Sequence, residues 1–234
     1  MSGNGFLAQD IYIENNAGAK KHQAVALRVN ADFVALYRCS IIGYEDTLYV
    51  HSFRQFYREC DIMGTIDFIF GNAAVVFQEC NIISRILTPS QFTVITAQSR
   101  NSPDEDTGIS IQNCSIVAEE DLQPNSIKVK SYLGRPWGEY SRTVYLESYI
   151  ANFIDPTGWK QGSNNNDDEV SKTLYYGEYD NDGPGSSTDG RVSWPGHQIM
   201  DTKNAYNFTV SEFINNGDEW LDLTSFPYDG GFKL

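Results

Sequence analysis

An all-β, right-handed parallel β-helix with a C-terminal segment packed on its side is the fold class that this 234-residue sequence predicts. Three observations lead there. One phrase recurs around four cysteines: "YRCSI" at Cys39, "RECDI" at Cys60, "QECNI" at Cys80 and "QNCSI" at Cys114, separated by 21, 20 and 34 residues. On either side of each phrase, β-branched and aromatic residues alternate with polar ones, as in short strands, while helical periodicity is weak. A period near twenty punctuated by Gly and Asn is the pattern of a solenoid, in which each coil buries its inward row against the next.

Stacking makes position along the period into position on a face, with equivalent residues of successive coils about 4.8 Å apart. Cys39, Cys60 and Cys80 are then expected as an inward stack of small buried fillers. The same separation lies within the range for a disulfide, so Cys60 and Cys80 are also a disulfide candidate.

The next element along the period carries chemistry. Asp46 follows Cys39 by seven residues and Asp67 follows Cys60 by seven. Gly43 matches Gly64, Leu48 matches Ile69 and Tyr49 matches Phe70, so the two phrases superpose without a gap. Adjacent coils should therefore bring two carboxylates into contact. Two such charges cannot both ionise cheaply, and one carboxyl stays protonated near neutrality. The ordinary alternative is an Asp that merely caps a turn, but "EDTLYV" and "TIDFIFG" set each Asp among apolar residues, where an unpaired carboxylate is costly. Tyr49 and Phe70, three residues further on, either flank the pair outward or enter the core.

The remaining segments read more blandly. "NNNDDE" (164–169) is expected as a solvated loop. "EYDNDGPGSSTD" has calcium-loop-like spacing at Glu178, Asp180, Asp182, Gly183 and Asp189, but Pro184-Gly185 suits a surface turn and no metal site is predicted. His22, His51 and His197 lack a spacing that suggests a metal or a triad. From about residue 203 to 234 the chain is expected to leave the solenoid and pack on it, with a short helix capped by Ser211. Residues 1–234 make one domain.

Thirty-one acidic residues against seventeen basic give a net charge of −14, which argues against nucleic acid or an anionic membrane as partner and for weak retention on polyanions. No run of eighteen apolar residues suggests a membrane span. The amino end, "MSGNGFLAQDIYIENN", has no basic and apolar leader pattern. Asn113-Cys114-Ser115 and Asn207-Phe208-Thr209 are sequons that matter only in a secreted protein.

Longer motifs carry a resemblance over essentially the whole chain. "HQAVALRV" (22–29), "GYEDTLYVH" (43–51), "GTIDFIFGNAAVVFQ" (64–78), "ITAQ" (95–98), "YLGRPW" (132–137), "SRTVY" (141–145), "IDPTGW" (154–159), "LYYGEY" (174–179) and "RVSWPG" (191–196) resemble the plant pectin methylesterases, or pectinesterases. The resemblance implies a secreted, monomeric cell-wall enzyme that removes methyl esters from homogalacturonan, or pectin, without metal or organic cofactor, and that a proteinaceous inhibitor could block. By motif, Asp67 would be the nucleophile, Asp46 the acid and later the base, Arg135 the partner of Asp67, and Gln23 a donor to the oxyanion. Trp137 would offer a stacking face for sugar, with Tyr49, Phe70 and Trp159 as further candidates.

Two departures temper that expectation. The family has Gln before its acid, as "YQDTLY", where this chain has Glu45; a Gln amide always donates to an oxyanion, whereas Glu donates only when protonated. The family's catalytic domains also begin several coils earlier, with a Gly-x-Tyr-x-Glu motif that has no counterpart here. The alternatives are thus a catalytically impaired polyuronide-binding relative, or another β-helix enzyme on the same polymer. A lyase needs calcium-binding carboxylates, and an inverting glycosidase needs carboxylates about 6.5–9.5 Å apart, wider than adjacent coils allow.

Overall fold

Three parallel sheets wind around one core in the computed structural model, which describes residues 1–85, 92–120, 129–162 and 167–233. Sheet A holds β1 (Leu7–Gln9), β4 (Val34–Tyr37), β7 (Arg54–Arg58), β10 (Ala74–Gln78), β13 (Gly108–Gln112), β16 (Arg142–Leu146), β18 (Tyr175–Tyr179) and β19 (His197–Ile199). Sheet B holds β2 (Tyr12–Glu14), β5 (Ser40–Ile42), β8 (Asp61–Gly64), β11 (Asn81–Ser84), β14 (Ser115–Ala118) and β17 (Tyr149–Ile150). Sheet C holds β3 (Leu27–Asn30), β6 (Leu48–Ser52), β9 (Ile69–Gly71), β12 (Thr93–Gln98) and β15 (Ser131–Gly134). Each coil visits C, A and B in turn, as β6, β7, β8 and then β9, β10, β11, which is the parallel β-helix expected from the repeat.

The corner from sheet A to sheet B explains the cysteine phrase. Arg38, Glu59, Glu79, Asn113 and Glu147 each adopt a left-handed conformation, with φ between 49° and 53°. The residue after each turns inward. There the backbone N–H of Cys39 donates to Cys60 Sγ (3.4 Å), that of Cys60 to Cys80 Sγ (3.4 Å) and that of Cys80 to Cys114 Sγ (3.3 Å). The ladder continues where no cysteine marks it, because Cys114 N–H donates to Ser148 Oγ at 3.1 Å. A small side chain with an acceptor is what this corner requires. The disulfide candidate is corrected accordingly: Cys60 and Cys80 are free thiols, as are Cys39 and Cys114, and each sulfur is engaged by backbone. Burial pushes the Cys80 thiol well up from its ordinary value.

Inward rows run through the coils in register. Ile41, Ile62, Ile82, Ile116 and Ile150 form one column on sheet B. On sheet A, Leu36, Tyr57, Phe77, Ile111 and Tyr145 form another, with the Tyr57 and Phe77 rings stacked 4.8 Å apart. The outer face of sheet A is apolar too, with Ala35, Phe56, Val76 and Val144 fully buried. Helices α2 (Thr202–Tyr206), α3 (Val210–Phe213) and α4 (Gly217–Leu221) cover it through Ala205, Phe208, Val210, Ile214, Trp220 and Leu221.

The tail is strapped down by polar contacts as well. Gln78 exchanges hydrogen bonds with the Asp229 backbone at 2.8 and 2.9 Å, Gln112 donates to Gly231 O at 2.7 Å, and Arg58 pairs with Asp229 at 2.8 Å. The packed C-terminal segment is thus present, but its caps differ from expectation. Ser211 lies inside α3, whose N-cap is Thr209, whereas Asp201 caps α2 by accepting from Asn204 N–H. A further helix, α1 (Asp167–Thr173), replaces the end of the expected loop 164–169, and residues 164–166 lie outside the described residues. Among the described residues no helix is long and apolar enough to cross a membrane.

Candidate active site

The corner between sheets B and C holds the two aspartates. Asp46 precedes β6 and Asp67 precedes β9, both in the left-handed region at φ 63° and 50°, which Asp tolerates better than most residues. Asp46 N–H donates to Ile66 O at 3.0 Å, and Leu48 pairs with Ile69 two residues on, so the carboxylates sit on the same rung of adjacent coils. Thr47, fully buried, bonds Tyr44 O and Met63 O at 3.1 Å and ties the two turns together. A Cβ on Gly64 would lie 2.6 Å from Thr47 Oγ1 and 2.2 Å from Phe68 Cβ, so this approach requires glycine.

Arg135, at the end of β15, grips Asp67 with both arms of its fork: Nε lies 2.9 Å from Oδ1 and Nη2 lies 2.5 Å from Oδ2. Burial raises the Asp46 carboxyl, the nearby charges of Asp67 and Glu45 raise it further, and against the pull of Arg135 it reaches about 7. Burial also raises Asp67, and the hydrogen bonds and charge of Arg135, with help from Lys160, oppose that rise without cancelling it. Because only Asp67 is held by the two-pronged guanidinium, it is the ionised member of the pair and Asp46 the protonated one. Such a pair can offer a nucleophile and an acid at one point.

Aromatic rings border the pair. Tyr49 and Phe70 stack face to face at 4.5 Å, and Trp137 leans over both at 6.4 and 5.9 Å. Trp137 is 51% exposed, so it offers a free face to a ligand, while Phe70 is buried. Arg28 lies over the outer side of Tyr49 at 5.4 Å. Gln23 is exposed on the preceding coil; Ala24 N–H donates to Glu45 O at 3.1 Å, which sets Gln23 beside Glu45. The Glu45 carboxylate stands 3.7 Å from His22 Nδ1.

Trp159 does not belong to this border. It is 1% exposed, stacks on Tyr176 at 4.1 Å inside the solenoid, and donates from Nε1 to Glu178 at 3.1 Å. The sugar-stacking expectation for Trp159 is therefore corrected to a core role, because its column points inward. Its neighbour Glu178 is also buried, paired with Arg191 at 2.9 Å and His197 at 3.1 Å, which removes it from the calcium-like phrase. Burial alone would raise the Glu178 carboxyl; His197, Arg191 and Trp159 outweigh burial and hold it below the ordinary range.

Trp159 nevertheless bears on the site from behind. Gly134 bridges to it, and a Cβ at Gly134 would lie 3.1 Å from the Trp159 ring and 2.2 Å from Thr96 Oγ1. This close packing fixes the backbone that carries Arg135. Sequence reasoning missed Lys160 and Phe92, which stand next to Arg135: its guanidinium is 5.8 Å from the Phe92 ring and Lys160 Nζ is 4.5 Å from it. The signal was the column that continues from "GRPW" to "GWK".

Comparison with known proteins identifies the family. The pectinesterase family model matches residues 1–218. A probable pectinesterase/pectinesterase inhibitor from Arabidopsis thaliana is 70% identical over 231 residues, which is 99% of this chain and 42% of that protein. The chain thus spans about two-fifths of the length of this curated relative. Pectin methylesterase from carrot superposes with a TM-score of 0.95 at 51% identity, covering 99% of this chain and 72% of the carrot chain. A pectin methylesterase solved in complex with a hexasaccharide superposes with a TM-score of 0.69 at 28% identity, covering 90% of this chain and 70% of that one. With fold and sequence in agreement, the chain belongs to the pectinesterase family.

Proposed function

We propose that this chain carries a pectin methylesterase centre, which frees the carboxylates of methyl-esterified homogalacturonan and releases methanol. The observation that carries the reading is Asp67 in the fork of Arg135 on the same rung as Asp46, whose carboxyl is pushed up to about 7 by burial and by the charges of Asp67 and Glu45. An Asp67 oxygen attacks the ester carbonyl carbon, and the negative charge that develops on the carbonyl oxygen is met by neighbouring donors, with Gln23 in that role. The carbon to methoxy-oxygen bond then breaks, the Asp46 proton passes to the departing methanol, and an acyl-Asp67 anhydride remains. Asp46, now ionised, takes a proton from water as that water attacks the acyl carbon. Asp67 leaves as carboxylate, Asp46 is again protonated, and the freed uronic acid loses its remaining proton to solvent.

Substrate binding follows from the border of rings, with Trp137 offering a sugar face. The hexasaccharide held by a relative supports a groove that takes several sugars. The family's setting supports action in the plant cell wall, and the inhibitor in its relatives' names supports control by a proteinaceous inhibitor; the chain would act as a monomer. A second reading, a polyuronide-binding protein with impaired turnover, is favoured by Glu45 alone.

Methanol release from esterified pectin separates the two readings. Wild type should release methanol and Asp67→Ala should lose at least about a thousandfold in kcat. Unsaturated or shortened products, or methanol release unchanged in Asp67→Ala, would overturn the esterase reading.

A further inference from the structure

The outward rank that carries Arg135 does not end there. Strand pairing aligns Arg28 with Tyr49, Tyr49 with Phe70, and Phe70 with Ala97. Gly134 pairs with Thr96 on one side and Trp159 on the other, so Arg135 and Lys160 continue the same rank by one coil each. Lys160 N–H donates to Gly134 O at 2.9 Å, which fixes its backbone against the coil of Arg135. Its ammonium group lies 4.5 Å from the Phe92 ring centre and 5.9 Å from that of Tyr132. Two ring faces thus hold the cation in place through cation–π attraction without neutralising it.

Charge accounting sets Lys160 apart from the other cations on the Arg135 side of the groove; Arg28, likewise without an ion pair among the described residues, lies at the opposite end of the rank over Tyr49. Arg135 is committed to Asp67 by two hydrogen bonds. Lys130, near Tyr132, is committed to Asp155 at 3.2 Å. Among the described residues no carboxylate forms an ion pair with Lys160, although the chain as a whole carries a net charge of −14. The Lys160 charge is nonetheless close enough to pull on Asp67. A half-buried cation on an aromatic shelf, one coil beyond Arg135 and without an ion-pair partner among the described residues, is suited to receive an anion from the ligand.

Building on the esterase reading, we propose that Lys160, on the shelf of Phe92 and Tyr132, is a specificity residue that binds a free carboxylate of the polyuronide on the Arg135 side of the reacting ester. A methyl ester at that position offers no charge, so the subsite distinguishes a sugar that has already lost its methyl group from one that has not. The fully unesterified chain is its simplest ligand.

The test is binding of unesterified oligogalacturonate, which cannot turn over, measured by calorimetry on wild type, Lys160→Met and Lys160→Arg. Lys160→Met keeps most of the apolar stem and should weaken binding about tenfold, the size of one charge-assisted hydrogen bond. The dependence of log Kd on log salt should also lose about one ion's worth of slope. Lys160→Arg should stay within about threefold of wild type. Binding of Lys160→Met within twofold of wild type would overturn the assignment. An equal tenfold loss in Lys160→Arg at unchanged melting temperature would also overturn it, since that marks packing rather than charge. Because the readout is affinity for a non-reacting ligand, it stands apart from the methanol assay that decides the esterase reading.

Discussion

Glu45 is the residue at which this chain departs from the family's motif beside the reacting pair. It stands beside the coil corner of Asp46, its charge contributes to raising that carboxyl to about 7, and in this position an amide would donate where an ionised carboxylate repels. Losing one oxyanion donor costs on the order of 10²–10³ in rate in other hydrolases. Glu45→Gln should therefore raise kcat for methanol release at neutral pH by at least about tenfold. The same change removes a negative neighbour of Asp46, so the Asp46 carboxyl should ionise at lower pH and the alkaline fall in rate should move downward. Equal rates and equal profiles for the two proteins would show that Glu45 does not face the reacting carbonyl. The aspartates themselves were legible in the sequence because seven residues separate each from an equivalent cysteine. Arg135 was legible only through the resemblance, since 68 residues separate it from Asp67 and no spacing rule connects them.

At the scale of the element, the corner residues decide what the coils can do. A left-handed residue followed by a small inward side chain makes the turn from sheet A to sheet B, and the cysteine phrase is the visible part of that rule. Ser148 obeys the same rule and escaped notice because the phrase was read by its sulfur rather than by its size. The disulfide candidate failed for a related reason: coil spacing permits a bond, but here each sulfur accepts a backbone N–H instead. A thiol reagent should find none of the four cysteines in the native protein and all four after denaturation without reductant; two after denaturation would restore the disulfide. Trp159 shows the limit of reading faces from one strand, since alternation says that a side chain lies in or out but not which. Its inward choice places it behind Gly134, where it supports Arg135 instead of touching sugar.

The whole molecule is a solenoid with one flank that water could not wet. Sheet A is apolar on both faces, and the C-terminal helices supply its cover through Trp220, Ile214 and Leu221. The continuous apolar run "AVVF" of β10 is the sequence trace of that double burial, whereas the partner face of α3 and α4 is too short to show a period. Trp220→Ala should cost about 3–5 kcal/mol in denaturant unfolding, and a loss under about 1 kcal/mol would mean that the cover is not integral. The whole arrangement, from repeat to coil to corner, exists on this account to hold one protonated carboxyl beside one ionised carboxyl. The pH dependence of kcat for methanol release tests that claim most directly. Asp46 must carry its proton to deliver it to methanol, and its carboxyl ionises at about 7, so the rate should fall about tenfold per pH unit above that point and be lost in Asp46→Asn. A rate that stays level from about pH 6 to pH 9, or survives in Asp46→Asn, would contradict it.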